Sequence, residues 1–303
     1  MACMEHLKQK LEEAAIPYSC GEPLARHTSF QIGGPAALFC MPHTAQQLVQ
    51  AIGLCREEGV RTYILGNGSN LLFSDHGFDG VVVSTRSLEP EIRVEGDRII
   101  AGAGVSLKQV CEEAAYHSLT GLEFAYGIPG SLGGAVYMNA GAYGGETRDV
   151  LLEVEFLDEA GQIRSLPVSQ LELGYRTSIF ARTGWCVLRA TLQLHPGDSV
   201  QIQQKMDDLM NRRRQKQPLE YPSAGSTFKR PQGYFAGKLI EDAGLRGYGM
   251  GGARVSEKHC GFVINGGNAT ASDVMALCGH IRKTVLEQSG VELEMEVKRW
   301  GEF

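Results

Sequence analysis

Three segments of this 303-residue chain hold residues that could manage a carboxylate or a proton. Arg176 lies in Tyr175-Arg176-Thr177-Ser178, just before Ile179-Phe180. A guanidinium can clamp a carboxylate through two parallel hydrogen bonds, although an arginine in such a setting is more commonly a surface residue. Ser226 lies in Ser223-Ala224-Gly225-Ser226-Thr227-Phe228-Lys229. No Gly-x-Ser-x-Gly elbow surrounds it and no histidine and aspartate stand out as partners, which argues against a hydrolase triad and leaves the serine as a candidate proton donor. Glu292, Glu294 and Glu296 alternate, so a strand running through them would place all three on one face. Like charges on one face usually meet solvent, unless one of them points into a site.

Two glycine-rich segments accompany them. From Tyr126 to Glu146 the chain reads YGIPGSLGGAVYMNAGAYGGE, with seven glycines between Gly127 and Gly145. Each interior glycine weakens a regular helix or strand, and the segment is too apolar for a flexible linker. What remains is backbone that must approach something closely, with Ser131 placed to cap a short helix whose amides face a phosphate; a structural loop is the plainer alternative. Gly66-Asn67-Gly68-Ser69-Asn70 follows a strand directly and fits either a tight turn or a nest of amides for a pyrophosphate. It lacks the third glycine of the dinucleotide fingerprint, and a short strand rather than a long helix follows. Gly247–Gly252 reads as a loop or a helix stop.

The elements that must carry these segments are legible from periodicity and punctuation. A helix is expected over Glu5–Ala15, a strand at Ala37–Met41, a helix from the Thr44 cap to about Glu58, and strands at Arg61–Leu65 and Gly80–Ser84. Arg93–Ala101 reads as a hairpin turning at Gly96-Asp97. Ser106 caps a helix with Val110, Ala114 and Ala115 on its apolar side. Leu151–Leu157 and Gln162–Pro167 form a second hairpin, Trp185–Leu194 a long strand, and Ser199–Lys216 a polar helix stopped by Pro218 and Pro222. Helices at Tyr234–Ala243 and Ala271–Ser289 and strands at Gly261–Asn265 and Val291–Arg299 complete the chain. The expected division is 1–87, 88–197 and 198–303.

Composition bounds the function class. The net charge of −6 argues against nucleic acid as the main partner, while 43% hydrophobic and 21% charged residues are ordinary for a globular protein. None of the eight cysteines forms a Cys-x-x-Cys pair, so no metal framework is visible and most thiols should be buried and reduced. The first residues are charged where a signal peptide needs an apolar run, and no run approaches a membrane span, so a cytoplasmic location is expected.

Taken in order, six segments resemble the UDP-N-acetylenolpyruvoylglucosamine reductase family: His27–Gly34, Gly66–Leu72, Gly127–Tyr143, Tyr175–Phe180, Ser223–Lys229 and Leu293–Val297. The resemblance runs over nearly the whole chain. It implies an α+β architecture: a PCMH-type FAD-binding fold in two subdomains plus a C-terminal α+β substrate-binding domain whose last strand returns toward the flavin. It also implies non-covalent FAD, NADPH as co-substrate, UDP-N-acetylglucosamine enolpyruvate as substrate, and a monomer in peptidoglycan precursor synthesis. Carried over residue by residue, Gly66, Asn67, Gly68, Ser69 and Asn70 match the pyrophosphate loop. Gly127, Pro129, Gly130, Ser131, Gly134, Ala135 and Asn139 match the flavin-lining segment, and Arg213 matches an arginine near the cofactor. Lys216, Lys229 and Tyr175 fall on the substrate side. Arg176, Ser226 and Glu296 match the catalytic positions. Arg230 follows Lys229, and no insertion separates Trp185 from Pro218, as in the shorter subtype that lacks a tyrosine loop.

The implied chemistry is hydride delivery from flavin N5 to C3 of the enolpyruvyl ether and a proton from Ser226 to C2. Arg176 would stabilise the enolate electrostatically, Glu296 would donate to the same group, and Lys229 would stabilise the alkoxide left on Ser226. An alcohol oxidase or dehydrogenase of the same fold is the main rival, with His27 the nearest candidate for a covalent flavin link but read as structural. A non-catalytic nucleotide-sugar binder is the second rival.

Overall fold

The computed structural model describes residues 2–303, with side chains from Met4 onward. Its helices are α1 (Ala2–Glu13), α2 (Ala45–Glu57), α3 (Leu107–Tyr116), α4 (Leu132–Met138), α5 (Ile179–Thr183), α6 (Ser199–Lys216), α7 (Ala236–Asp242) and α8 (Ala271–Ser289). Local chemistry accounts for most of their starts. Thr44 Oγ1 accepts the Gln47 amide at 3.1 Å, and Ser106 and Thr270 each build a reciprocal capping box with Gln109 and Asp273.

Two compact units emerge. The first comprises residues 1–19, 39–67 and 80–213. Its centre is a five-stranded antiparallel sheet in the order Ile163–Pro167, Leu151–Leu157, Cys186–Gln193, Arg98–Gly102, Ile92–Glu95. Both hairpins read from the sequence are present. Ile99, Ala101, Val154, Phe156 and Leu192 face a core completed by Val110 of α3, Val136 of α4 and Phe180 of α5, with Trp185 stacked on Phe156 at 4.8 Å. A parallel pair, Thr62–Leu65 beside Val81–Ser84, ends where the Gly66 loop begins. In an α/β unit the carboxyl end of a parallel strand is the usual place for a ligand loop.

The second unit comprises residues 20–38, 68–79 and 214–303. A three-stranded sheet, Gly249–Met250, Ala253–Val255 and Val263–Asn265, is covered by α8, whose Val274, Leu277, Ile281 and Val285 are buried. Asp75 receives the Ala271 and Ser272 amides at 2.6 and 2.9 Å, satisfying the first donors of α8 and complementing its dipole. The last strand, Lys298–Trp300, runs parallel to Leu71–Phe73.

The expected final strand from Val291 is shorter: only Lys298–Trp300 joins a ladder. Residues 291–297 are extended but anchored by Leu293 and Val297 in the core and a single bridge from Met295 to Phe228. The three glutamates differ in burial. Glu292 and Glu294 are exposed and Glu296 is buried. Cys40, Cys55, Cys111, Cys186, Cys260 and Cys278 are buried and free, and Cys20 is exposed; the Cys3 side chain lies outside the described residues. Burial pushes the thiols of Cys40, Cys186 and Cys278 up to about 12, which keeps them protonated and inert. No helix among the described residues is long and apolar enough to cross a membrane.

Candidate functional site

In the first unit the glycine segment folds as the Ser131 cap implies. Ser131 Oγ accepts the Gly134 amide at 3.3 Å and starts α4. The amides that were expected to face a phosphate are used inside the unit, however. Leu132 donates to Val105 and Gly133 to Ala103, at 2.8 and 2.9 Å. Several glycines are needed by protein packing alone: a Cβ on Gly133 would lie 2.8 Å from that of Ala103, and one on Gly145 would lie 2.7 Å from the Phe124 ring. Glycine density here partly reports backbone pressed on neighbouring protein.

Gly66 also packs on this segment. A Cβ on it would stand 2.6 Å from Ser131 Oγ, so two loops far apart in sequence meet at Gly66 and Ser131. Asn67 belongs to the same unit, while Gly68, Ser69 and Asn70 belong to the second. There Gly68 adopts φ +63°, and a Cβ on it would stand 2.1 Å from the His27 carbonyl oxygen, so only glycine fits.

Arg213 is the buried cation of the glycine segment. Carried by α6, it is 8% exposed and donates through Nη1 to the Gly127 carbonyl. Its Nε is buried with no hydrogen-bond partner, the only such side-chain atom among the described residues. Burial lowers its pKa, partly offset by the Tyr143 hydroxyl beside it. A guanidinium held this way, against the Gly127 backbone, keeps one buried donor unmatched among the described residues. Upstream on α6, Lys205 pairs with buried Glu123 at 3.2 Å, so the helix grips both ends of Glu123–Gly127.

Arg176 occupies a tight turn closed by Gly174 and Thr177, whose amides and carbonyls bond reciprocally at 3.1 and 3.4 Å. Its φ is +57°, a left-handed conformation that costs a non-glycine residue about 1–2 kcal/mol. The half-buried guanidinium reaches the Gly141 carbonyl at 3.3 Å and lies over the exposed Tyr175 ring at 5.2 Å. Ser178 closes the turn by capping α5 and donating to the Tyr137 carbonyl at 2.7 Å. Asn139 is fully buried, and its amide and carbonyl are both engaged by protein groups.

In the second unit Ser226 and Glu296 come together. Glu296 N donates to the Thr227 carbonyl and Lys229 N to the Glu294 carbonyl, both at 2.8 Å. This register sets Glu296 opposite Thr227, one residue from Ser226. Ser226 follows Gly225, whose φ is +76°, and is exposed; Glu296 is buried. Asn70 Nδ2 donates to the Glu296 carbonyl at 3.4 Å, tying the end of the Gly66–Asn70 loop to this pair. Lys229 is ion-paired with Glu294, which draws its cation away from the role of steadying a Ser226 alkoxide. Lys216 is exposed at the end of α6. His27 is bonded to Glu22 at 2.9 Å, in keeping with a structural role.

Sequence reasoning did not single out Glu123 or Ser178, nor the use Asn139 makes of its side chain. Glu123 follows a Gly121-Leu122 break that carries no motif, and each of the three acts through partners distant in sequence.

Comparison with known proteins agrees with this anatomy. Residues 36–167 match a family described as an FAD binding domain, and residues 217–300 match the C-terminal domain of UDP-N-acetylenolpyruvoylglucosamine reductase. The reductase of Caldanaerobacter subterraneus subsp. tengcongensis is 53% identical over 299 residues, covering 99% of this chain and 98% of the relative. That of Geobacillus kaustophilus is 50% identical, covering 99% and 100%. The crystal structure of the Thermus caldophilus reductase superposes with a TM-score of 0.80 at 34% identity, covering 94% of this chain and 99% of that one. With identity of this order sustained from end to end, the chain belongs to the UDP-N-acetylenolpyruvoylglucosamine reductase family.

Proposed function

We propose that this protein reduces UDP-N-acetylglucosamine enolpyruvate to UDP-N-acetylmuramate, using NADPH and FAD, in the synthesis of peptidoglycan precursors. The observation that carries this reading is the end-to-end identity to reductases of that name, 53% over 99% of the chain. Bound FAD would supply the two-electron chemistry between NADPH and C3 of the enolpyruvyl group, with the Gly127–Ala135 segment and Arg213 assigned to hold it.

The chain's own residues answer the charge that this creates. Negative charge develops at C2 and spreads into the substrate carboxylate as an enolate. Arg176, a fixed cation on a rigid turn, lowers the energy of that charge without having to reorganise. Glu296, buried beside the Ser226 segment, is assigned to hydrogen-bond the same group in its protonated form. Ser226 gives its hydroxyl proton to C2 and is reprotonated from solvent. A serine is a poor acid toward most bases, but a carbanion is a far stronger base than an alkoxide, so the transfer runs downhill. Lys216 is assigned to the substrate diphosphate, and Lys229 and Tyr175 to the substrate side.

Within this reading the chain is of the shorter subtype, divides functionally into 1–87, 88–197 and 198–303, and works as a cytoplasmic monomer on small molecules alone, without nucleic acid. The family matches at 36–167 and 217–300 support the separation of a cofactor-binding part from a substrate-binding part. The test is NADPH oxidation by the purified yellow protein with and without UDP-N-acetylglucosamine enolpyruvate. Turnover that depends on the enolpyruvyl sugar supports the assignment. Sugar-independent oxidation, flavin that precipitates with the protein in acid, or a colourless protein contradicts it.

A further inference from the structure

We infer that Asn139 is a positioning residue for Arg176 and not a ligand of the cofactor. The inference rests on the functional reading above, in which Arg176 faces the enolate. Asn139 is 0% exposed and ends α4 in the left-handed conformation, φ 42° and ψ 58°. Each polar atom of its side chain is satisfied by protein. Nδ2 donates to the Gly174 carbonyl at 3.1 Å and to Glu146 Oε2 at 3.0 Å, and Oδ1 accepts the Arg148 amide at 3.0 Å. An amide has two N–H donors, so none is left for a ligand.

Gly174 is the first residue of the turn that presents Arg176. Asn139 therefore fastens the root of that turn to the end of the flavin-lining segment. Parallel straps lie on either side: Ser178 Oγ donates to the Tyr137 carbonyl, and Arg176 itself reaches the Gly141 carbonyl. Two further facts make the strap specific to the turn. Arg176 sits at a positive φ, which a non-glycine residue keeps only when its surroundings hold it there. Tyr175 at the tip of the turn is exposed rather than packed in the core. Cutting the Asn139–Gly174 bond should let the turn relax and carry the guanidinium away from the position where charge develops, and a displacement near 1 Å can cost a reaction about 100-fold.

The test uses Asn139→Gly, which keeps the left-handed backbone and removes the side chain, and Asn139→Asp, which keeps the acceptor for Arg148 and loses the donor to Gly174. Both are studied as FAD-loaded enzymes by stopped flow, one half-reaction at a time. The expected result is reoxidation by the enolpyruvyl sugar slowed about 10- to 100-fold, with flavin reduction by NADPH and FAD affinity unchanged. In an Arg176→Ala background, Asn139→Gly should add almost nothing. Loss of FAD affinity, equal slowing of both half-reactions, or full additivity with Arg176→Ala overturns the positioning role. Should Asn139→Gly fail to fold, Ser178→Ala cuts the neighbouring strap and must show the same selective loss. A wild-type reoxidation rate in Arg176→Ala overturns the functional reading itself. A slow Arg176→Ala beside a normal Asn139→Gly overturns only the role of Asn139.

Discussion

Gly66 faces Ser131 so closely that a Cβ on the glycine would lie 2.6 Å from the serine hydroxyl oxygen. The contact joins the strand-end loop to the cap of α4, and it makes a two-residue prediction. Gly66→Ala should distort both loops and weaken FAD binding by about 1–3 kcal/mol, the usual cost of overpacking. Adding Ser131→Ala removes the oxygen that the methyl would strike, and the next nearest atom is Ser131 Cβ at 3.8 Å. FAD titration of the apoprotein should therefore show the double variant binding better than Gly66→Ala alone. Simple additivity of the two losses would show that this contact does not shape the FAD site.

Arg213 offers a test of its unmatched donor. Arg213→Met keeps much of the side-chain length and removes every N–H. FAD affinity should fall by about 1.5–3 kcal/mol, the range for a hydrogen bond to a charged group. Calorimetry should also show FAD raising the Tm of the wild-type apoprotein more than that of the variant. An equal shift in both would mean that the buried Nε does not serve the cofactor.

Glu123 makes a prediction about pH. Burial raises its pKa, but the Thr120 hydroxyl, a backbone amide and the Lys205 ammonium together outweigh this and hold the carboxyl below its usual range. A carboxyl depressed in the folded state stabilises the fold above its unfolded pKa, near 4.3, and loses that contribution as pH falls through the folded value. Glu123→Gln should therefore cost about 1–3 kcal/mol near pH 7, the penalty for breaking a buried hydrogen-bonded group. The gap from wild type should narrow below about pH 4. Tm measured across pH 3–7 checks this, and a gap that stays constant would remove Glu123 as the titrating group.

Much of this anatomy was open to reading because it is local. Thr44, Ser106, Ser131 and Thr270 cap helices through residues three positions on, and the bounds of α6 and α8 follow from periodicity and the breakers after them. The Gly96-Asp97 and Asp158–Gly161 turns are equally local. What the sequence could not give depends on partners far along the chain. Residues 291–297 alternate like a strand, but Phe228 offers only one bridge, so no ladder forms, and of the three glutamates only Glu296 is buried. Tyr18–Pro23 is a strand despite its polar character and a glycine at φ +62°. The Gly66–Ser131 approach, the Asn139–Gly174 strap and the Lys205–Glu123 pair each join segments that no periodicity links.

Lys216 tests the substrate side. Exposed at the end of α6, it contributes little to stability. Lys216→Ala should leave Tm nearly unchanged and raise KM for the enolpyruvyl sugar more than it lowers kcat. That is the signature of binding lost equally from ground and transition states. The reverse pattern would take Lys216 away from the diphosphate.

The central claim is that Ser226 gives the proton to C2, and separate half-reactions of the FAD-loaded Ser226→Ala enzyme test it most directly. Flavin reduction by NADPH should run at nearly the wild-type rate, while reoxidation by UDP-N-acetylglucosamine enolpyruvate should slow by about 100-fold or more, the upper range for losing a positioned proton donor. Equal slowing of both half-reactions, or reoxidation at the wild-type rate, would contradict the assignment.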